Sequence, residues 1–280
     1  MEGVVENGLK PSSGGVVAKT LKLMADISKD RDLTHDLQTE IHPEVFFKRN
    51  SVNLLVGKKG SGKTYNVFRE LIKLREVPDH KYTKLIYVSD KPWDRTYDLV
   101  KDVLPFPVLK VPYHEAVQAI KDVAEAKNAA HEMIEKDIHT EDLEEEAVEK
   151  ISDTLGTELD DTNEIYHTAV LLDDCQDRFL RRTPQNAELW RLLFENRQPK
   201  ITYFLTMQDP KGIDTALKEN LDSAWLFGGF SSSKFKYLLR SIQNDYEALQ
   251  LWEIYNSLTK NQALIFAMEA DGTELFVLKQ

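Results

Sequence analysis

A lysine-threonine pair closing a glycine-rich turn and two adjacent aspartates far downstream are the residues of this chain best suited to phosphate chemistry. The turn reads Gly57-Lys58-Lys59-Gly60-Ser61-Gly62-Lys63-Thr64, with glycine at its first and sixth positions and Lys-Thr directly after. Glycines let successive backbone N–H groups converge on phosphate oxygens, and the helix expected to follow adds the positive end of its dipole. In such a phosphate loop the lysine reaches the β- and γ-phosphates and the hydroxyl ligates Mg²⁺. The candidate nucleotide-binding set therefore runs from Gly57 through Lys63 and Thr64 to Tyr65.

Three further stations extend the chemistry. Ala169-Val170-Leu171-Leu172 precede Asp173 and Asp174, as expected of a buried strand that ends in a metal-binding carboxylate. Asp173 is the Mg²⁺ candidate. Strand alternation would turn Asp174 away from it and towards an attacking water, as a general base. Gln208 ends the run Ile201-Thr202-Tyr203-Phe204-Leu205-Thr206-Met207, where a polar amide at a strand's C-terminal end can sense a γ-phosphate or orient water. Arg197 lies before that strand, where it can be either a surface residue at a helix end or a finger reaching a neighbouring subunit's γ-phosphate.

These residues need a parallel sheet to hold them. Val52–Val56 and residues 84–90, 168–175 and 200–208 read as buried strands, and 108–112 as a further, weaker one. Residues 222–230 contain another strand. Helical patterns follow the phosphate loop up to Pro78 and recur over 113–137, around 143–151 and over 184–197, 232–243 and 246–258. A short helix is expected within 21–40. Asp271-Gly272 between two β-rich runs marks a terminal hairpin. Strands alternating with helices predict an α/β fold with a mostly parallel central sheet flanked by helices.

The chain has 280 residues, room for one large α/β domain with additions. The expected organisation is a flexible segment over 1–40 and a single domain over 41–280, with an acidic helical insertion at about 113–165. The net charge of −11 is concentrated: residues 132–161 hold thirteen acidic and two basic side chains, which leaves 34 of each elsewhere. A basic face for nucleic acid therefore remains open. Cys175 is the sole cysteine, which precludes an intrachain disulfide and fits a reducing compartment. No apolar run reaches membrane-spanning length and the N-terminus has no signal core, so a protein that is not secreted is expected.

The order of these motifs resembles the poxvirus-type genome-packaging ATPases of nucleocytoplasmic large DNA viruses, members of the FtsK–HerA superfamily. The resemblance spans about residues 53–230 and is carried by the phosphate loop, Leu-Leu-Asp-Asp-Cys, Asn-Arg-Gln-Pro-Lys-Ile-Thr-Tyr-Phe-Leu-Thr-Met-Gln and Ala-Leu-Lys-Glu-Asn-Leu-Asp. It implies an additional-strand (RecA/FtsK-like) P-loop NTPase core in which the Gln208 strand separates the phosphate-loop strand from the Asp173 strand. It also implies ATP and Mg²⁺ as cofactors, a homo-oligomeric ring, double-stranded DNA gripped by its backbone, and a capsid or portal-vertex partner. The expected location is host-cell cytoplasm or a viral assembly site, with virion association. Asp174 stands where cellular members carry Glu, and Lys218 stands nearest the position of an arginine. Arg178, Arg181, Arg182, Lys234, Lys236 and Arg240 are candidate DNA contacts. A nucleotide kinase and a slowly hydrolysing assembly switch are the alternatives; an acceptor pocket or unstimulated turnover would favour them.

Overall fold

The computed structural model describes residues 50–74, 82–159, 166–175, 183–209, 214–242, 248–269 and 272–278. The helix expected within 21–40, Asp271 and the candidates Arg178, Arg181 and Arg182 lie outside them. Eight strands form one sheet in the order β3-β2-β4-β5-β1-β6-β7-β8. They are β1 (Val52–Val56), β2 (Tyr82–Val88), β3 (Val108–Val111), β4 (His167–Leu172), β5 (Ile201–Met207), β6 (Ser223–Phe227), β7 (Ala263–Glu269) and β8 (Gly272–Leu278). Strands β1 to β6 run parallel, whereas β7 pairs antiparallel with β6 and β8 with β7. The Gln208 strand β5 thus lies between β1 and β4, and the terminal hairpin forms one edge, both as expected.

Apolar residues on both faces of the central strands explain their place in the middle of the sheet. In β1, Leu54 and Val56 pack into the core on one face and Leu55 into the core on the other. Helix α1 (Lys63–Lys73) covers the Leu55 face through Val67, Phe68 and Leu71. The opposite face is covered by α3 (Ala116–Glu135) through Ile120 and Val123, and by α5 (Ala187–Phe194) through Leu189, Leu192 and Leu193. Parallel strands buried on both sides in this way read as unbroken apolar runs. One polar residue interrupts β1. Asn53 donates to the Tyr203 carbonyl in β5 at 3.1 Å and accepts from Ser223 in β6 at 2.6 Å, so it ties three strands together.

Helix α4 (Glu145–Leu155) docks beside α3. Lys84 of β2 donates to the carbonyls of Asp153 and Thr154, at 2.8 and 2.9 Å, at the helix C-terminus. This pair fills most of the acidic segment. Two short helices were not expected. One is α2 (Arg95–Val100), capped by Asp94, whose carboxylate accepts from the amides of Thr96 and Tyr97. The other is α6 (Thr215–Glu219), capped by Asp214. Each is too short to show a helical period, so the cap is its main signature. Helices α7 (Ser232–Ser241), whose cap Ser231 accepts from the Lys234 amide, and α8 (Ala248–Asn256) precede the β7–β8 hairpin.

Candidate nucleotide-binding and hydrolytic site

The phosphate loop leaves β1 at the C-terminal edge of the parallel strands and enters α1 at Gly62, whose φ of 94° lies in the left-handed region. A side chain there would also strike Asn261, since an added Cβ would sit 2.1 Å from its Oδ1. Asn261 belongs to the turn before β7. Its amide donates to the Ser61 carbonyl at 3.1 Å, and Asn66 Nδ2 donates to both the Gly62 and Asn261 carbonyls. The C-terminal turn thus braces the loop from outside.

Lys63 is buried, and its ammonium donates to the carbonyls of Gly57 at 2.8 Å and Lys58 at 3.1 Å. An ammonium has three donors, so one remains for a ligand. Burial lowers the Lys63 pKa below its ordinary value, against the opposing charges of Asp174 and Asp173. The loop borders an open cavity of about 630 Å³ lined by Lys63, Thr64, Tyr65, Lys91, Asp173 and Gln208, among others.

Two residues beyond the end of β4 face this cavity. Asp173 is only 3% exposed, and its Oδ1 accepts from Thr64 Oγ1 at 2.5 Å and from Thr206 Oγ1 at 3.0 Å. Its Oδ2 pairs with the Lys91 ammonium, and its backbone carbonyl accepts from the Tyr113 hydroxyl. A hydroxyl and a carboxylate this close form the hard oxygen pair that Mg²⁺ takes from a protein, with phosphates and water supplying the rest. The residues therefore fit the ion.

Asp174 corrects the expected geometry. It is not a strand residue: β4 stops at Leu172, and Asp174 has φ 57°. A left-handed turn, rather than strand alternation, turns its side chain away from Asp173. Aspartate is one of the few non-glycine residues that tolerate this conformation. Gln208 Nε2 donates to both Asp174 carboxylate oxygens, at 2.9 and 3.1 Å. Asp174 N donates to Thr206 Oγ1 at 2.8 Å.

Of the proposed set, Arg197 alone stands apart. It lies exposed in the turn that precedes β5, at the opposite edge of the sheet. Seven residues of strand span about 20 Å, farther than an arginine reaches. Arg197 therefore cannot serve the site of its own subunit. Among the DNA-contact candidates, Lys234 is already engaged: its ammonium pairs with Asp209 at 2.5 Å. Arg240 is exposed and Lys236 half-buried on α7. Cys175 is fully buried beside the Thr206 carbonyl, and burial raises its thiol pKa, as suits a packing residue rather than a nucleophile.

Sequence reasoning missed Lys91, Thr206 and Asn261. Thr206 had a usable signal. In the expected strand 200–208 it stands two residues before Gln208, which would put both on one face. Lys91 and Asn261 lie in loops, and only the assembled sheet brings them to the phosphate loop.

No family model matches the chain, and no curated protein matches it in sequence. Solved structures do resemble it. The EssC region containing ATPases 2 and 3 from Geobacillus thermodenitrificans superposes with a TM-score of 0.51 at 15% identity, over 81% of this chain and 40% of that one. The mostly parallel eight-stranded sheet, with β5 between β1 and β4 and helices on both faces, matches the P-loop fold of that region. The genome-packaging NTPase B204 of Sulfolobus turreted icosahedral virus 2, with ATP-gammaS, gives 0.49 at 15% identity over 81% of this chain and 96% of that one. The cytoplasmic domain of the Thermomonospora curvata type VII secretion ATPase EccC gives 0.46 at 15% identity, over 80% and 23%. Among the described residues, no helix is long and apolar enough to cross a membrane.

Proposed function

We propose that the protein is a Mg²⁺-dependent ATPase that drives double-stranded DNA into a preformed viral capsid. The observation that carries this reading is the meeting of three strand ends, β1, β5 and β4, around one cavity. There Lys63, the Thr64–Asp173 pair and the Gln208–Asp174 pair face the same space.

Bound Mg²⁺ would neutralise phosphate charge between Thr64 and Asp173. Lys63 and the loop amides hold the β- and γ-phosphates. Asp174 takes the proton of the attacking water. Gln208 donates through Nε2 and so keeps the Asp174 carboxylate oriented. Its own carbonyl oxygen remains to orient the water. Thr206 sets the spacing of the two aspartates, since one hydroxyl bonds the Asp173 carboxylate and the Asp174 amide.

The ring supplies what the single chain lacks. Arg197 projects from the edge opposite the cavity, so it can complete only a neighbour's site, where a guanidinium would stabilise the charge of the departing phosphate. Lys236 and Arg240 on α7, with Arg178, Arg181 and Arg182, are the proposed grips on the DNA backbone, and a capsid or portal-vertex protein is the proposed dock. Function at a viral assembly site in the host cell follows from that reading.

The test is phosphate release measured with and without duplex DNA, together with the native mass of the assembly. Turnover stimulated by duplex DNA in an oligomer is expected. Stimulation by a nucleoside acceptor instead would replace the motor by a kinase, and tight ATP binding without stimulation would indicate an assembly switch.

A further inference from the structure

Lys91 follows β2 and has no place in the mechanism above, yet its ammonium pairs directly with Asp173. Its main chain is fixed while its side chain is not enclosed. The Lys91 amide donates to Ser89 Oγ at 3.3 Å, and its carbonyl accepts from Lys110 Nζ at 3.0 Å. The side chain is 50% exposed and lines the cavity, so it can swing from a fixed pivot without disturbing the core. Asp173 is 2% exposed at its side chain and has two oxygens to share. Thr64 and Thr206 take Oδ1, and Lys91 takes Oδ2.

We propose that Lys91 is the resident counter-cation of Asp173, which competes with the divalent ion for that carboxylate and turns to the nucleotide's terminal phosphate when the ion binds. The inference rests on the nucleotide-site reading of this cavity and adds a residue to it. A buried carboxylate needs a positive partner. Two cations on one carboxylate repel each other, so metal loading and the Lys91 pair each weaken the other. A terminal phosphate bound in the cavity offers the displaced ammonium a new anionic partner. A compact, rotatable ammonium can make that change of partner more readily than a planar guanidinium. The arrangement makes metal binding by the empty site weak and metal binding with a triphosphate strong, so the ion enters with its nucleotide.

The experiment uses the full chain, with Mn²⁺ as the metal probe followed by electron paramagnetic resonance, and ATP-gammaS and ADP as nucleotides. Without nucleotide, Lys91→Met should bind Mn²⁺ about tenfold or more tightly than wild type, whereas Lys91→Arg should stay near wild type. Lys91→Gln keeps a neutral donor beside Asp173, so it protects the fold and should show the same gain. In the presence of Mn²⁺, Lys91→Met should lose about fivefold or more affinity for ATP-gammaS, while its ADP affinity changes less than twofold. A lysine that only props up the carboxylate would give unchanged or weaker Mn²⁺ binding in both neutral variants, and that result overturns the proposal. Equal losses for ATP-gammaS and ADP overturn the phosphate contact. Wild-type protein that binds neither nucleotide overturns the nucleotide-site reading itself, and this inference with it.

Discussion

Replacing Thr206 by valine removes one hydroxyl and almost no volume, and it should damage stability and turnover together. The residue is fully buried at the end of β5. Its Oγ1 donates to Asp173 Oδ1 at 3.0 Å and accepts from the Asp174 amide at 2.8 Å. A hydrogen bond to a charged acceptor contributes about 1.5–3 kcal/mol, and a neutral one about 1 kcal/mol. Asp174 borders the cavity, where water can take over its amide, so the second term largely cancels. Thr206→Val should therefore lose about 1.5–3 kcal/mol of unfolding free energy, read by urea denaturation without metal or nucleotide. The aspartates would also lose their fixed spacing. If about 2 kcal/mol of this appears in the transition state, turnover falls roughly 30-fold. Thr206→Ser keeps the hydroxyl and should retain most of both. A Thr206→Val protein within about 0.5 kcal/mol and twofold of wild type would refute the claim that this hydroxyl organises the pair.

Gly62→Ala meets both a left-handed φ of 94° and the Asn261 side chain 2.1 Å from the added Cβ. It should cost about 1–3 kcal/mol and most ATP affinity in a nucleotide titration, and Asn261→Gly should restore part of the loss. Arg197→Ala should leave ATP binding by the isolated chain unchanged but abolish the rise of specific activity with protein concentration, read by phosphate release across a dilution series. Asp174→Asn keeps one oxygen to accept from Gln208 Nε2 but removes the base, so nucleotide binding should persist while phosphate release falls about 100-fold or more. Lys127 is buried with its ammonium on the Lys200 carbonyl at 3.1 Å, and burial lowers its pKa well below the usual 10.5. The folded state therefore binds this proton less readily than the unfolded chain, and stability rises with pH between the folded value and 10.5. Lys127→Met should be the more stable protein at pH 7 in urea, by about 1–3 kcal/mol, with the gap closing towards pH 10.

How much of this site could be read from sequence depended on whether a residue's neighbours were also its neighbours in the chain. The phosphate loop was legible because strand, turn and helix follow one another within residues 52–73, and each local signal agrees with the next. Asp173 and Gln208 were legible as strand ends, because β4 and β5 are long apolar runs that stop abruptly. The course of the backbone between Asp173 and Asp174 was not. Strand alternation extrapolated one residue too far, because nothing local shows that Thr206, 32 positions away, captures the Asp174 amide and fixes the turn.

The same argument explains the residues that were missed altogether. Leu172 pairs with Leu205 and Val88 pairs with Leu172, so Asp173 has Thr206 ahead on one neighbouring strand and the Ser89–Lys91 segment ahead on the other. That register, once known, makes a threonine and a lysine beside Asp173 unavoidable. It is set by which apolar residues pair across strands remote in sequence, and no periodicity within one strand encodes it. Arg197 shows the converse. The chain places it close to Gln208, but an intervening strand carries the two to opposite edges of the sheet. A role for Arg197 in phosphate transfer therefore depends on a second subunit, whereas Lys91, missed in the sequence, reaches the site within its own chain.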